Sequence, residues 1–64
     1  MKLNGMTITL NQSCTITALL TQHHYPVQQV AVELNDKIVP KREFDTTFVT
    51  DEDTIEVVSF VGGG

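Results

Sequence analysis

Only one stretch of this chain, "TITALLTQHHY" (15–25), spaces its apolar residues for a helix, and this limits the fold more than any other feature. Ile16, Leu19 and Leu20 fall at i, i+3 and i+4, with His23 at i+7, which makes one apolar face. Thr15 or Ser13 stands where a cap is needed. Pro26 ends the segment, because Tyr25 before it is biased away from helical angles. The expectation is a helix of two to three turns, with His23 bordering the core. His24 is then solvated near the helix end. A single short helix has one stripe to bury, so the other apolar residues must meet it from a sheet.

Those residues alternate as strands do. In "MKLNGMTITL" the pair Asn4-Gly5 is a strong hairpin signal. A two-residue turn there sets Leu3 opposite Met6, Lys2 opposite Thr7 and Met1 opposite Ile8. Met1, Leu3, Met6, Ile8 and Leu10 then share one face, and Lys2, Thr7 and Thr9 the other. "QQVAVELNDKIVP" turns Val30, Val32 and Leu34 one way and Ala31 and Glu33 the other. Asn35-Asp36 suits a turn, and Ile38-Val39 makes a brief strand ended by Pro40. "KREFDTTFVTDED" reads as a connection with two buried anchors, Phe44 and Phe48, and an acidic turn at Asp51-Glu52-Asp53. "TIEVVSF" is the last strand. The order predicts an α+β domain with a mixed sheet of four to five strands and one main helix, the β-grasp arrangement of ubiquitin-like proteins. Residues 1–60 form the domain and 61–64 a flexible glycine tail.

Sixty-four residues allow one small core and no enclosed cleft of ordinary enzyme size. Eight acidic against four basic side chains leave a net charge of −4. Without a basic stripe the chain is a poor nucleic-acid binder, and it suits a partner with a basic docking surface. The longest apolar run, "IEVVSFV", is too short to span a bilayer, so no membrane partner is expected. "MKLNGMTITL" has no signal-peptide character, and one cysteine fits a reducing cytoplasm. Cys14 by itself forms no internal disulfide and holds no iron–sulfur cluster, which sets aside the ferredoxin variant of this fold.

The chain ends on "SFVGGG". Gly62, Gly63 and Gly64 extend about 10 Å at full reach and carry no side chain to obstruct a narrow channel. The α-carboxylate of Gly64 is inert until activated, because it is ionised at neutral pH and lacks a good leaving group. Attack on the α-phosphate of ATP would convert it into an acyl-adenylate, and a sulfur donor could then displace AMP. The chain has no phosphate loop and no arginine cluster for that chemistry, so the catalyst must be another protein.

The opening "KLNG", the helix segment "TITALL", "VELNDKIVPKREF", the "V.D.D.IEVVSF" ending and the terminal Gly-Gly run in this order over the whole chain. Together they resemble the sulfur carrier proteins of thiamin thiazole biosynthesis, the ThiS family. The resemblance implies a protein cosubstrate, not an enzyme, with no catalytic or metal-binding residues of its own. It implies that an E1-like adenylyltransferase, using ATP with magnesium, activates Gly64. Gly64 then becomes a thiocarboxylate and gives its sulfur to thiazole synthase, with a sulfur donor such as a cysteine desulfurase upstream. Gly63 and Gly64 match the terminal pair; Gly62 is an additional glycine. No cofactor stays bound to the carrier. The small subunit of molybdopterin synthase, another ubiquitin-like carrier or modifier, and a plain β-grasp binding module are the alternatives.

Other residues have ordinary structural roles beside any functional one. If Ile55 and Val57 face the helix, then Glu56, Val58 and Phe60 face the other side, and Val58, Phe60 and Val61 form a docking patch beside the tail. A bulge that buries Phe60 is the competing arrangement. Cys14, near the helix start and paired with His23 or His24, is a candidate nucleophile, though a structural cysteine is the commoner role. Adjacent histidines point about 100° apart on a helix and make a poor metal pair. Lys37, Lys41 and Arg42 read as a solvated loop, and the acidic turn is too short for a calcium loop.

Overall fold

The computed structural model describes residues 1–60. The Asn4-Gly5 hairpin forms as the sequence predicts. Strand β1 (Lys2–Leu3) pairs antiparallel with β2 (Met6–Thr7), Lys2 opposite Thr7 and Leu3 opposite Met6. Asn4 and Gly5 both take positive φ, 51° and 84°, the type I′ geometry that matches strand twist. After a short strand β3 (Cys14–Thr15) comes helix α1 (Ile16–Gln22). Thr15 is its cap: the hydroxyl accepts from the Ala18 N–H at 3.1 Å.

The helix closes by a Schellman turn. The Tyr25 N–H donates to the Leu20 carbonyl at 2.9 Å and the His24 N–H to that of Thr21 at 3.2 Å. His24 takes the left-handed conformation, with φ 65°, that glycine usually fills. This early stop corrects the expectation for His23. It is the C-cap rather than a residue of the helical face, so it is exposed instead of bordering the core.

Strand β4 (Val30–Leu34) and β5 (Lys37–Val39) pair antiparallel around Asn35-Asp36, a second turn with two positive φ values. Strand β6 (Phe48–Val49) pairs with β3, and β7 (Thr54–Ser59) closes the fold. The main sheet runs β2-β1-β7-β4-β5. Strand β7 lies parallel to β1 and antiparallel to β4, so the last strand is the central one. One helix packed on a five-stranded mixed sheet is the β-grasp fold.

The core joins Met1, Leu3, Val30, Val32, Ile55 and Val57 of the sheet side to Ile16, Leu19 and Leu20 of the helix, with Phe44 and Val49 from the connection. Phe44 is an anchor as expected. Phe48 is not: it is 61% exposed, and Val49 is buried in its place. The two are successive residues of β6 and must point to opposite sides, so only one can enter the core. Met6 also departs from expectation, at 68% exposed. It opposes Leu3, but β2 is the outermost strand and has a neighbour on one side only. Among the described residues no helix is long and apolar enough to cross a membrane.

Candidate functional site

The strand that leads to the glycines is the most heavily tied element of the molecule. From Ile55 to Ser59 each residue of β7 faces a partner in β4, ending with Ser59 opposite Val30. One further rung follows, in which the Phe60 N–H donates to the Gln29 carbonyl at 3.1 Å. Two turn asparagines reinforce the strand from its sides. Strand β1 is too short to reach Val57, and the Asn4 side chain takes its place. Its Oδ1 accepts from the Val57 N–H at 2.7 Å, and its Nδ2 donates to the Val57 carbonyl at 3.1 Å. The same Nδ2 reaches the Tyr25 hydroxyl at 3.1 Å. At the start of the strand, Asn35 Oδ1 accepts from the Thr54 N–H at 2.9 Å.

Alternation along β7 runs as predicted. Ile55 and Val57 are buried, whereas Val58 and Phe60 are each 59% exposed, so no bulge turns Phe60 inward. On the face away from the helix Val58 stands opposite Ala31, and Glu56 stands opposite Glu33. Ile38, also exposed, is the neighbour of Glu33 in β5. The result is an apolar patch at the strand end bordered by two carboxylates. Like charges directly opposed cost stability in a free sheet and favour a cationic partner group. The remaining predicted site residues, Val61, Gly62, Gly63 and Gly64, lie outside the described residues.

Lys41 is more than a solvated loop residue. Its Nζ donates to the Gln28 carbonyl at 2.8 Å and sits 5.5 Å from the centre of the Phe60 ring. A lysine beside "P" in a polar connection carries no sequence sign of that contact.

Cys14 and His23 both line a cavity of about 260 Å³, together with Gln12 and Gln22. Among the described residues no hydrogen bond joins them, and burial pushes the Cys14 thiol up from its ordinary value, which disfavours the nucleophilic thiolate. Among the described residues no three His, Cys, Asp or Glu side chains converge as metal ligands would. The acidic turn is a staple. Asp51 Oδ1 accepts from the Leu10 N–H at 2.7 Å and lies 3.6 Å from the Met1 α-amino group. Asp53 accepts from the Thr50 N–H at 2.8 Å and from Asn35 Nδ2 at 3.0 Å. The Asn35 amide, followed by the Thr50 bonds, holds its carboxyl below the usual aspartate value.

Comparison with known proteins places this geometry. The sequence model described as the ThiS family matches residues 1–64. The crystal structure of a thiamine biosynthesis protein (ThiS) from Geobacter metallireducens superposes with a TM-score of 0.84 at 35% identity, covering 98% of this chain and 96% of that one. The sulfur carrier protein ThiS of Bacillus subtilis is 35% identical over 65 residues, which is 100% of this chain and 98% of the relative. A thiazole synthase of Paramagnetospirillum magneticum is 40% identical over 62 residues; these make up 97% of this chain but 19% of that protein.

Proposed function

The chain belongs to the ThiS family, and from that premise we propose that it is a sulfur carrier of thiamin thiazole formation, a cosubstrate acted on by other enzymes and not itself a catalyst. The observation that carries the reading is the placement of β7. The central strand of the sheet delivers the chain to Phe60 with Val58 and Phe60 exposed at the point of departure. A partner that grips this patch has the glycines in reach.

In the proposed sequence an E1-like adenylyltransferase binds the open face through Val58, Phe60 and Val61. A basic rim on that partner would complement Glu33 and Glu56. Gly62 and Gly63 enter its active site, and a carboxylate oxygen of Gly64 attacks the α-phosphorus of ATP, supplied with magnesium by the partner. Pyrophosphate leaves and an acyl-adenylate forms. Sulfide, or a persulfide whose S–S bond a thiol then reduces, attacks the carbonyl carbon and expels AMP. A cysteine desulfurase is the expected origin of that sulfur. The Gly64 thiocarboxylate then serves thiazole synthase as sulfur donor. A thiazole synthase that contains a segment similar to nearly all of this chain supports the pairing of carrier and synthase. The work is assigned to the cytoplasm.

The test is the intact mass of the protein after incubation with ATP, the adenylyltransferase and a sulfur source. An oxygen-to-sulfur increase confined to the C-terminal peptide is expected, and deletion of Gly63 and Gly64 removes it. An unchanged mass beside an adenylyltransferase active on another carrier refutes the proposal. A plain binding module would keep its partner after the deletion and gain no sulfur.

A further inference from the structure

We propose that Lys41 is a positioning residue: it latches Phe60 and so sets the direction in which the chain leaves the sheet. The geometry is that of a two-point tether. Lys41 opens the 3₁₀ turn Lys41–Glu43 directly after Pro40, whose φ of −60° fixes the approach. From there the ammonium group reaches the Gln28 carbonyl at 2.8 Å, in the 3₁₀ turn Val27–Gln29 that leads into β4. It also lies over the Phe60 ring, 5.5 Å from the centroid, within the range of a cation–π attraction. The next backbone group, the Gln29 carbonyl, accepts from the Phe60 N–H at 3.1 Å. Two contacts thus converge on Phe60, which lies beyond the end of β7 and beyond its last ladder pair, Ser59 with Val30, and the Gln28 bond anchors the lysine that makes one of them.

Phe60 is 59% exposed even with Lys41 over its ring, and without the lysine it would keep a single backbone bond, too little to choose one rotamer against solvent. With it, ring and backbone are held together, and the chain starts toward Val61 from a fixed orientation. Such preorganisation lowers the ordering cost when a partner binds. It leaves the chemistry at the chain end untouched. The expected signature is therefore a change in the concentration of carrier needed, not in the rate at saturation. Arginine can restore the function, since its guanidinium also stacks on an aromatic face. Methionine cannot, although it preserves the apolar stem.

Two measurements decide this. The first is exchange of the Phe60 amide with water in Lys41→Met and Lys41→Arg, with Val57 as internal reference. An exposed cation–π contact corresponds to about a twofold to fivefold change, so Lys41→Met should speed Phe60 exchange by about that factor and leave Val57 unchanged. Lys41→Arg should restore the original rate. The second rests on the sulfur-carrier reading: KM of the adenylyltransferase for the carrier should rise about threefold in Lys41→Met, with kcat constant and Lys41→Arg restored. Unchanged Phe60 exchange overturns the latch whatever the kinetics show. Faster exchange with unaltered KM confines Lys41 to the local structure and overturns its positioning role. If the original protein is not adenylated at all, the functional reading fails, and the exchange data still judge the latch.

Discussion

Replacing Asn4 should cost this protein a large fraction of its stability, although the residue sits in an exposed turn. Asn4 does two things at once. Its backbone adopts φ 51°, a region that costs an ordinary L-residue about 1–2 kcal/mol and asparagine less. Its side chain closes both backbone groups of Val57, at 2.7 and 3.1 Å. Each such bond contributes about 1 kcal/mol net, and Val57 lies against the core where water is a poor substitute. Asn4→Ala loses both bonds and adds the strain, so a loss of about 3 kcal/mol is expected. Asn4→Gly loses the bonds without the strain, for about 2 kcal/mol. A chain of this length holds about 3–10 kcal/mol in total, so the alanine variant lowers Tm by about 12–24 °C. Urea titrations at a common slope, read as midpoints, measure the series. An alanine variant within about 0.5 kcal/mol of the original would refute the bridging role. A glycine variant no more stable than alanine would refute the strain.

Three further outcomes follow from named contacts. Asp36→Gly should stabilise by about 0.5–1 kcal/mol in the same titration, because φ of 71° suits glycine at the second place of a type I′ turn. Asp53 has its folded pKa depressed below the ordinary 3.8 by the Asn35 and Thr50 bonds. It therefore adds stability that is complete above the ordinary value and vanishes as pH falls through the folded one. Asp53→Asn should flatten the decline in Tm below pH 4, and an unchanged slope would count against this. Phe60→Ala should raise the carrier KM of the adenylyltransferase at least fivefold, the scale of an anchor residue. Its Tm should shift by only a few degrees, since the ring is mostly exposed; a large loss of Tm with equal binding would reverse that assignment.

The parts of the fold legible in sequence are those governed by local rules. Both hairpin turns follow from residues that tolerate positive φ, and the inward set of β4 and β7 follows from alternation. What escaped was set by partners distant in sequence. The pairing of β3 with β6 spans two residues per strand, too few for any period, and it alone decides that Val49 and not Phe48 is buried. The exposure of His23 is the local exception, because the Schellman turn at His24 has no glycine to announce it. Asn4 reads as a turn former, and nothing local shows that its side chain reaches a residue 53 positions away. At the site, exposure of Val58 and Phe60 was legible from period two. The Lys41 contact was not, because it depends on how two 3₁₀ turns meet.

The central position of β7 also limits where the chemistry can occur. A partner holding Val58 and Phe60 holds the end of a strand that β4 pairs as far as Ser59 and the Gln29 carbonyl as far as Phe60, so the chain beyond it starts from a defined point. Four residues, Val61 to Gly64, follow Phe60 and span at most about 14 Å. If an adenylyltransferase grips Phe60 and acts on Gly64 as proposed, its reaction centre lies within that radius of the Phe60 contact. Two glycines inserted between Phe60 and Val61 add up to about 7 Å. The docking patch is unchanged, so KM should stay constant. The carboxylate overshoots a site matched to four residues, and kcat should fall about tenfold or more, since displacements of an ångström from the productive geometry can cost a hundredfold. Pyrophosphate exchange measures both constants. Full kcat in the lengthened protein would mean that the enzyme finds the carboxylate without reference to the patch, and that the rigid base has no part in presenting it.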